Sequence, residues 1–438
     1  MNMDYTIRLD KQLDSNLLLL NESTFEEINV NTHQIVLQFG KFSKVLSIII
    51  NDRIPDKVIA ISPYLSDQLF IPELPYDCYF EGNRLNIGPV IGFIPQKKFY
   101  NNPKEMMMRF SRYNEIKGLI VMFRPKKIDR FRHTIEGYYL DPEKKQFIKG
   151  IFPYPNAVFN RVRLSKQTAA LFIDSLFNYP NNINKLKFWS IMNEHSELKA
   201  YIPKTLELTD TKSLLNMLNS CSSIYLKPYN KSQGRGILHL KKTGESYLLK
   251  DGSFNSIFLR NDEELKEILS KRVKGTYLLQ QEVGSKISGK KIDFRVYFHK
   301  DEDRKWYLSG MESKIAKEGS IISNFKNRDH MMQGEKALEE FYHLNPDKVE
   351  KLKERIFDIS VKAIKEIEKS GYLLGEAAMD LIIDSELKIW LLEAQLNFAA
   401  EKKLARSEDE RRVLPTILPA PFIYAKALTG FGKKGNSH

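Results

Sequence analysis

The sequence predicts a mixed α/β (α+β) protein of several domains, on three observations. Short apolar strands separated by Gly, Pro, Asn and Asp fill residues 26–90. Strand and helix patterns alternate from 88 to about 180, and again from 183 onward. The 438 residues, 42% hydrophobic, are too many for one ordinary core and suggest two to four domains.

Taken in order, "HQIVLQFG", "SKVLSIII", "DKVIAIS" and "RLNIGPVIGFI" read as strands, and "FIPELPYDC" as loop because of its two prolines. This makes residues 1–87 a small β-rich N-terminal domain. In 88–182, a small α/β domain, "PVIGFI" and "GLIVMF" are strands around one helix, "NPKEMMMRFSRYNEIKG". Its triple Met reads as core. "GIFPYPNAVFNRV" reads as loop, and "SKQTAALFIDSLFN" as a helix with Ser165 as N-cap. Within 183–430, strands are expected at 223–227, 236–240, 276–283, 291–299, 305–316, 376–383 and 388–394. A helix is expected at 346–369, where Val349, Leu352, Ile356, Ile359, Ala363 and Ile367 recur at three and four residues. A flexible tail closes the chain at 431–438.

Composition narrows the function. Two cysteines, Cys78 and Cys221, make no disulfide framework, so a cytoplasmic location is expected. The polar start does not read as a signal peptide, and no apolar run approaches the roughly 20 residues of a membrane helix. The formal charge is +13, and residues 97–132 hold eleven basic against three acidic residues. That bias fits either an anionic partner or a solvated basic face. Nucleic acid is not expected, because no basic stripe carries interleaved aromatics. There is no GxxxxGK[ST], no GxSxG and no HExxH, and the eight histidines are dispersed.

Two constellations carry chemistry. Lys227 ends an apolar strand and precedes "NKSQGRG", a loop whose glycines permit a phosphate-cradling nest; a plain surface hairpin is the other reading. In "GEAAMDLIIDSELKIWLLEAQLN", a two-residue turn at Ser385-Glu386 sets Asp380 opposite Leu391, with Glu393, Gln395 and Asn397 following on the same face. Two carboxylates and two amides on one strand face suit a cation such as Mg²⁺, or else an exposed hairpin. "KIDFRVYFHK" alternates, with Ile292, Phe294, Val296 and Phe298 on one face and Asp293, Arg295, Tyr297 and His299 on the other. Glu312 and Lys314 share a face of the next strand. These charges fit a phosphate-transfer site or a solvated salt-bridge ladder.

The order of these segments carries a resemblance. Lys227-Pro228 before a Gly-rich loop, then "LLQQEV", "DFRVYF", "SGMESKIA", "ISN" and "MDLIID…LLEAQLN", resembles the ATP-grasp superfamily. "GPVIGFIP", "FPYPNAVFNRV", "KLKFW" and "APFIYAKALTGF" are similar to the narrower YheC/YheD family, described as endospore coat-associated. The resemblance implies two lobes, 183–275 and 276–430, clamping ATP, with the α/β and β-rich domains ahead of them. It implies ATP and Mg²⁺, a carboxylate activated as acyl phosphate, and an amine that attacks it.

Residue by residue, it implies ATP contacts from Lys187, Lys227, Ser232, Gly234, Arg235, Gly236, Gln280, Glu282, Val283 and Asp293. It implies catalytic roles for Arg295 and Lys314, and metal contacts from Asp380, Glu393, Gln395 and Asn397, with Asn324 near the metal. Where the superfamily carries Glu-x-Asn, this chain has Glu393-Ala394-Gln395, one methylene longer at the amide. Two readings therefore stand: an ADP-forming carboxylate–amine ligase, or a catalytically degenerate ATP-binding scaffold associated with a spore coat or with copies of itself. For the ligase, the basic 97–132 stretch implies an acidic peptide or polyanionic metabolite as acceptor.

Overall fold

Among the described residues the strands form four sheets. The structure is a computed structural model that describes all but residues 1–4, 31, 230, 232–233, 285–286, 288, 399 and 433–438, and all but the side chains of Phe325, Lys402, Leu404 and Ala405. The tail from residue 433 and the flap residue Ser232 lie outside the described residues.

The first sheet has seven strands, from Thr6–Leu9 to Arg84–Gly88. The run "RLNIGPVIGFI" divides at Gly88: Arg84–Gly88 belongs to this sheet and Val90–Ile94 to the next. One apolar cluster spans both sheets, including Ile35, Phe39 and Leu85 with Val121, Phe123 and Phe152.

The second sheet has Val90–Ile94 at its centre, parallel to Leu119–Asp129 on one side and to Ala157–Asn160 on the other. Leu176–Phe177 continues the parallel run beyond Ala157–Asn160. The segment 150–162, expected as loop, supplies two strands, Gln146–Pro153 and Ala157–Asn160. Its prolines sit at the strand end and in the connection, where no ladder donor is lost. The single helix expected at 102–118 divides into a 3₁₀ stretch, Pro103–Phe110, and one turn of α-helix, Tyr113–Ile116. Within the 3₁₀ stretch, buried Met106 and Arg109 lie three residues apart, the 3₁₀ period. Ser165 does cap a helix, accepting from the Thr168 amide, but that helix ends at Ala170.

The third sheet is antiparallel throughout: Thr205–Glu207, Tyr277–Gln281, Ser223–Pro228, Leu238–Thr243, Ser246–Asp251 and Ser256–Leu259, in that order. Tyr277–Gln281, expected to open the second lobe, therefore lies inside the first lobe's sheet. The fourth sheet runs Arg328–Gln333, Trp306–Ala316, Ile292–Lys300, Glu376–Ile383, Ile389–Gln395. The helix Pro346–Lys369 lays its periodic apolar face on one side of it. Phe398, Ala400, Leu414, Ile417 and Leu418 cover the other side, so Tyr297 and His299, on the polar face of Ile292–Lys300, are also fully buried.

Candidate nucleotide and metal site

Lys227 lies at the end of Ser223–Pro228, beside Tyr277–Gln281. Its Nζ donates to Gln280 Oε1 at 2.5 Å, and Gln280 Nε2 donates to Thr205 Oγ1 at 3.1 Å. Lys291 enters from the other lobe: its Nζ donates to the Tyr225 hydroxyl at 2.9 Å and sits 4.3 Å over the Tyr225 ring. Lys227 Nζ lies 5.4 Å from the same ring. Burial and then the Lys291 charge bring the Lys227 pKa down to about 8, with Lys185 adding and Glu393 and Asp293 opposing. An amine held this way is short of negative charge, and a phosphate would supply it.

The carboxylates converge through an irregularity. Leu381 pairs with Leu391, but Asp380 pairs with Glu393, so Leu392 bulges. The turn is also longer than expected: Asp384 N donates to Lys388 O, and Leu387 takes a left-handed φ of 61°. The expected Asp380–Leu391 pairing is thus corrected, and the two carboxylates become direct neighbours. Arg295 clamps Asp380 with Nε to Oδ1 and NH2 to Oδ2, both at 2.6 Å, and Lys314 Nζ lies 3.8 Å from Oδ1. Burial opposes ionisation of Asp380, but Arg295 and Lys314 hold its carboxyl well below the usual range.

Glu393 accepts from Gln395 Nε2 at 2.8 Å, and Lys185 Nζ lies 3.3 Å from its other oxygen. Lys185 Nζ also donates to the Lys231 carbonyl at 3.1 Å, tying the carboxylates to the loop before the glycines. Asp293 accepts from Ser323 Oγ, while its buried Oδ1 has no hydrogen-bond partner.

Several expected residues stand elsewhere. Lys187 is exposed; Lys185, two positions and about 200° away on the same helix, faces the carboxylates. Glu282 turns into its own sheet, where it accepts from Ser223 Oγ at 2.5 Å and pairs with His239 Nε2 at 2.9 Å. Burial would raise its pKa, but the His239 and Ser223 contacts hold it at about 2. Gln280 is spent on Lys227, and Val283 is buried. Asn397 donates to the Arg161 carbonyl at 3.3 Å rather than joining Glu393 and Gln395. Glu312 is 2% exposed and is held by Tyr297 and Lys403.

Sequence reasoning missed Lys185, Lys291 and Lys403. Lys291 was legible, since 291, 293 and 295 alternate onto one face. Lys185 was not distinguishable from Lys187 without knowing which helix face is buried.

Gly234 and Gly236 adopt φ of 73° and 74°. A Cβ on Gly234 would lie 2.7 Å from Ile322 Cδ1 and 3.4 Å from Asn324 Nδ2, so this loop rests on 322–324. The exposed bond after Arg235 should be cut in limited proteolysis, and ATP should protect it. Equal cutting with and without ATP would remove the loop from the phosphate site.

The donor set fits Mg²⁺, which is commonly held by one or two carboxylates plus substrate phosphates. Asp380 and Glu393 stand side by side and Gln395 brings an amide; among the described residues no third carboxylate, histidine or cysteine joins them.

A family model described as YheC/D like ATP-grasp matches residues 174–428, more than half of the chain. The chain belongs to the YheC/D-like ATP-grasp family. It is similar to the endospore coat-associated protein YheD of Bacillus subtilis (strain 168), 24% identical over 367 residues, covering 77% of this chain and 79% of that one. It is also similar to the endospore coat-associated protein YheC of the same organism, 21% identical over 286 residues, covering 60% and 76%. Among solved structures, the ATP-grasp ligase PsnB complexed with minimal precursor is 12% identical, covers 78% of this chain and 99% of that one, and has a TM-score of 0.46. The family match over 174–428 spans both the lysine-bearing third sheet and the carboxylate-bearing fourth. No helix among the described residues is long and apolar enough to cross a membrane.

Proposed function

We propose that this protein is an ATP-dependent carboxylate–amine ligase. The observation that carries the reading is the convergence of Lys185, Lys227 and Lys291 on Glu393 and Asp293 between two sheets, with Asp380 paired to Glu393. Lys227 and Lys291 would bind ATP phosphates, and Arg295 and Lys314 would balance Asp380 and the charge of the transferring group. A carboxylate oxygen of one substrate attacks the γ-phosphorus, the bond to the bridging oxygen breaks, and ADP leaves. An amine then attacks the acyl carbon, phosphate leaves, and the amine loses a proton. Mg²⁺, held by Asp380, Glu393 and the Gln395 amide, would neutralise phosphate charge. The proposed units are 1–87, 88–182 and 183–430.

One observation favours a second reading, an ATP-binding scaffold without turnover. Both Asp380 oxygens are already bonded to Arg295. The endospore coat-associated names of YheD and YheC make a spore-associated site of action part of that reading. Calorimetry with ATP, and ADP release with mixed carboxylates and amines, separate the two: binding with turnover supports the ligase, and binding without it supports the scaffold. Absence of ATP binding overturns both.

The pH dependence of binding follows from Lys227. The ammonium form binds phosphate, so ATP affinity should be full below about pH 8 and should fall as pH rises through that value. Lys227→Ala should bind ATP weakly and lose this dependence. A profile unchanged by the substitution would assign the titration to another group.

A further inference from the structure

A second concave site opens where the topology of the second sheet reverses. Val90–Ile94 is flanked by parallel strands on both sides, Leu119–Asp129 and Ala157–Asn160. The chain leaves Val90–Ile94 for one neighbour and later returns to form the other. The connections leaving the carboxyl ends of Val90–Ile94 and Ala157–Asn160 therefore part, and a crevice forms between them, the place where open parallel sheets take ligands. In this chain the crevice is a cleft of about 750 Å³ lined by Gln96, Lys97, Arg161, Val162, Arg163, Pro180, Asn181, Asn182 and Asn397.

The lining has a definite chemistry. It contains three cationic side chains, four amides and no acid. Arg161 is neutralised inside the protein by Glu376. Lys97 and Arg163 are exposed and make no ion pair among the described residues, so their charge is available to a ligand. Asn397 closes the wall on the side of the fourth sheet, two residues beyond Gln395, and its buried Oδ1 accepts no hydrogen bond. Its Nδ2 donates to the Arg161 carbonyl at 3.3 Å, so the wall joins the loop after Ala157–Asn160 to the chain just past the strand that carries Glu393 and Gln395.

We propose that this cleft holds a carboxylate of the substrate that is not consumed in the reaction. Lys97 and Arg163 grip that anion, while the amides of Asn181 and Asn182 hold the rest of the molecule. The molecule joined is then a dicarboxylate, or a chain ending in a free carboxylate, and a monocarboxylate lacks half of its recognition. The identity of the reacting end rests on the ligase reading; the anion-binding cleft does not.

Glutarate is the probe, titrated by calorimetry into the full chain with and without AMPPNP and Mg²⁺, beside dimethyl glutarate and inorganic phosphate. Glutarate should bind more tightly than its dimethyl ester, which keeps no free carboxylate. Lys97→Gln combined with Arg163→Gln should weaken glutarate about tenfold or more, the loss of charge-assisted hydrogen bonds, and leave AMPPNP affinity and Tm unchanged. Both side chains are exposed and unpaired, so the variant should fold. Equal glutarate affinity in both proteins, or no glutarate binding, overturns the proposal while leaving the nucleotide reading intact. Tighter binding of phosphate than of glutarate, lost in the double variant, also overturns it and makes the cleft a phosphate site. Failure of AMPPNP to bind, with glutarate binding still dependent on Lys97 and Arg163, defeats the ligase reading and supports the cleft.

Discussion

Glu393→Ala should lower ADP release by about 10²–10³-fold while leaving the fold intact, the scale of losing one preorganised electrostatic contact in a transfer site. The side chain is only partly buried, and its contacts are Gln395 and Lys185 rather than core residues. Without it, Lys185 loses its carboxylate and Asp380 loses its neighbour, so the cation needed beside the phosphates would have one carboxylate instead of two. Steady-state ADP release at saturating Mg²⁺, with circular dichroism to confirm folding, measures this. Turnover equal to the unsubstituted protein would sink the metal assignment. Glu393→Gln should retain less than a tenth of the activity, because it preserves shape but not charge.

Arg161→Met should destabilise the protein by about 3–5 kcal/mol, because it leaves a buried carboxylate unpaired. Arg161 is 2% exposed and bonds Glu376, which is fully buried, and the Phe398 carbonyl; Glu401 lies 3.9 Å away. Arg109 donates its Nε to Glu401 at 2.7 Å. These charges join three parts of the chain: Arg109 and Arg161 come from the second sheet's region, Glu376 from the fourth sheet and Glu401 from the stretch after it. The guanidiniums also sit beside aromatic rings, Arg109 5.4 Å and Arg161 5.8 Å from Phe159. Arg161→Met with Glu376→Met should recover part of the loss, since removing both charges also removes their desolvation cost. A denaturation midpoint unmoved by Arg161→Met would show that the pair contributes nothing.

The same network sets an acid limit. Burial would raise the Glu401 pKa, but Arg109 and Arg161 hold it at about 2, against an unfolded value near 4.3. Its contribution to stability is therefore complete above the unfolded value and is lost as pH falls from about 4.5 toward 2.

Local pattern carried a large part of this protein. The helix Pro346–Lys369 and the strand Ile292–Lys300 follow from apolar positions at periods of 3.6 and two, which one face of one element determines by itself. Lys227 beside a glycine loop, and Asp380 and Glu393 within one hairpin, were legible for the same reason. The turn and the bulge were not: period two specifies which face a side chain takes, but not how many residues a turn consumes or where an extra one is absorbed. That irregularity makes the two carboxylates direct neighbours.

The remaining decisions were tertiary. Lys185 rather than Lys187 reaches Glu393, because packing decides which helix face is buried. Lys291 meets Tyr225 across 66 residues, and Arg161 meets Glu376 across 215. No local periodicity encodes a partner at that separation. The strand Tyr277–Gln281 joined the first lobe because its hydrogen-bonding edges were filled by Thr205–Glu207 and Ser223–Pro228. The cleft proposed for an anion exists only because two parallel neighbours flank Val90–Ile94, so the loops that follow Ile94 and Asn160 open toward the same space.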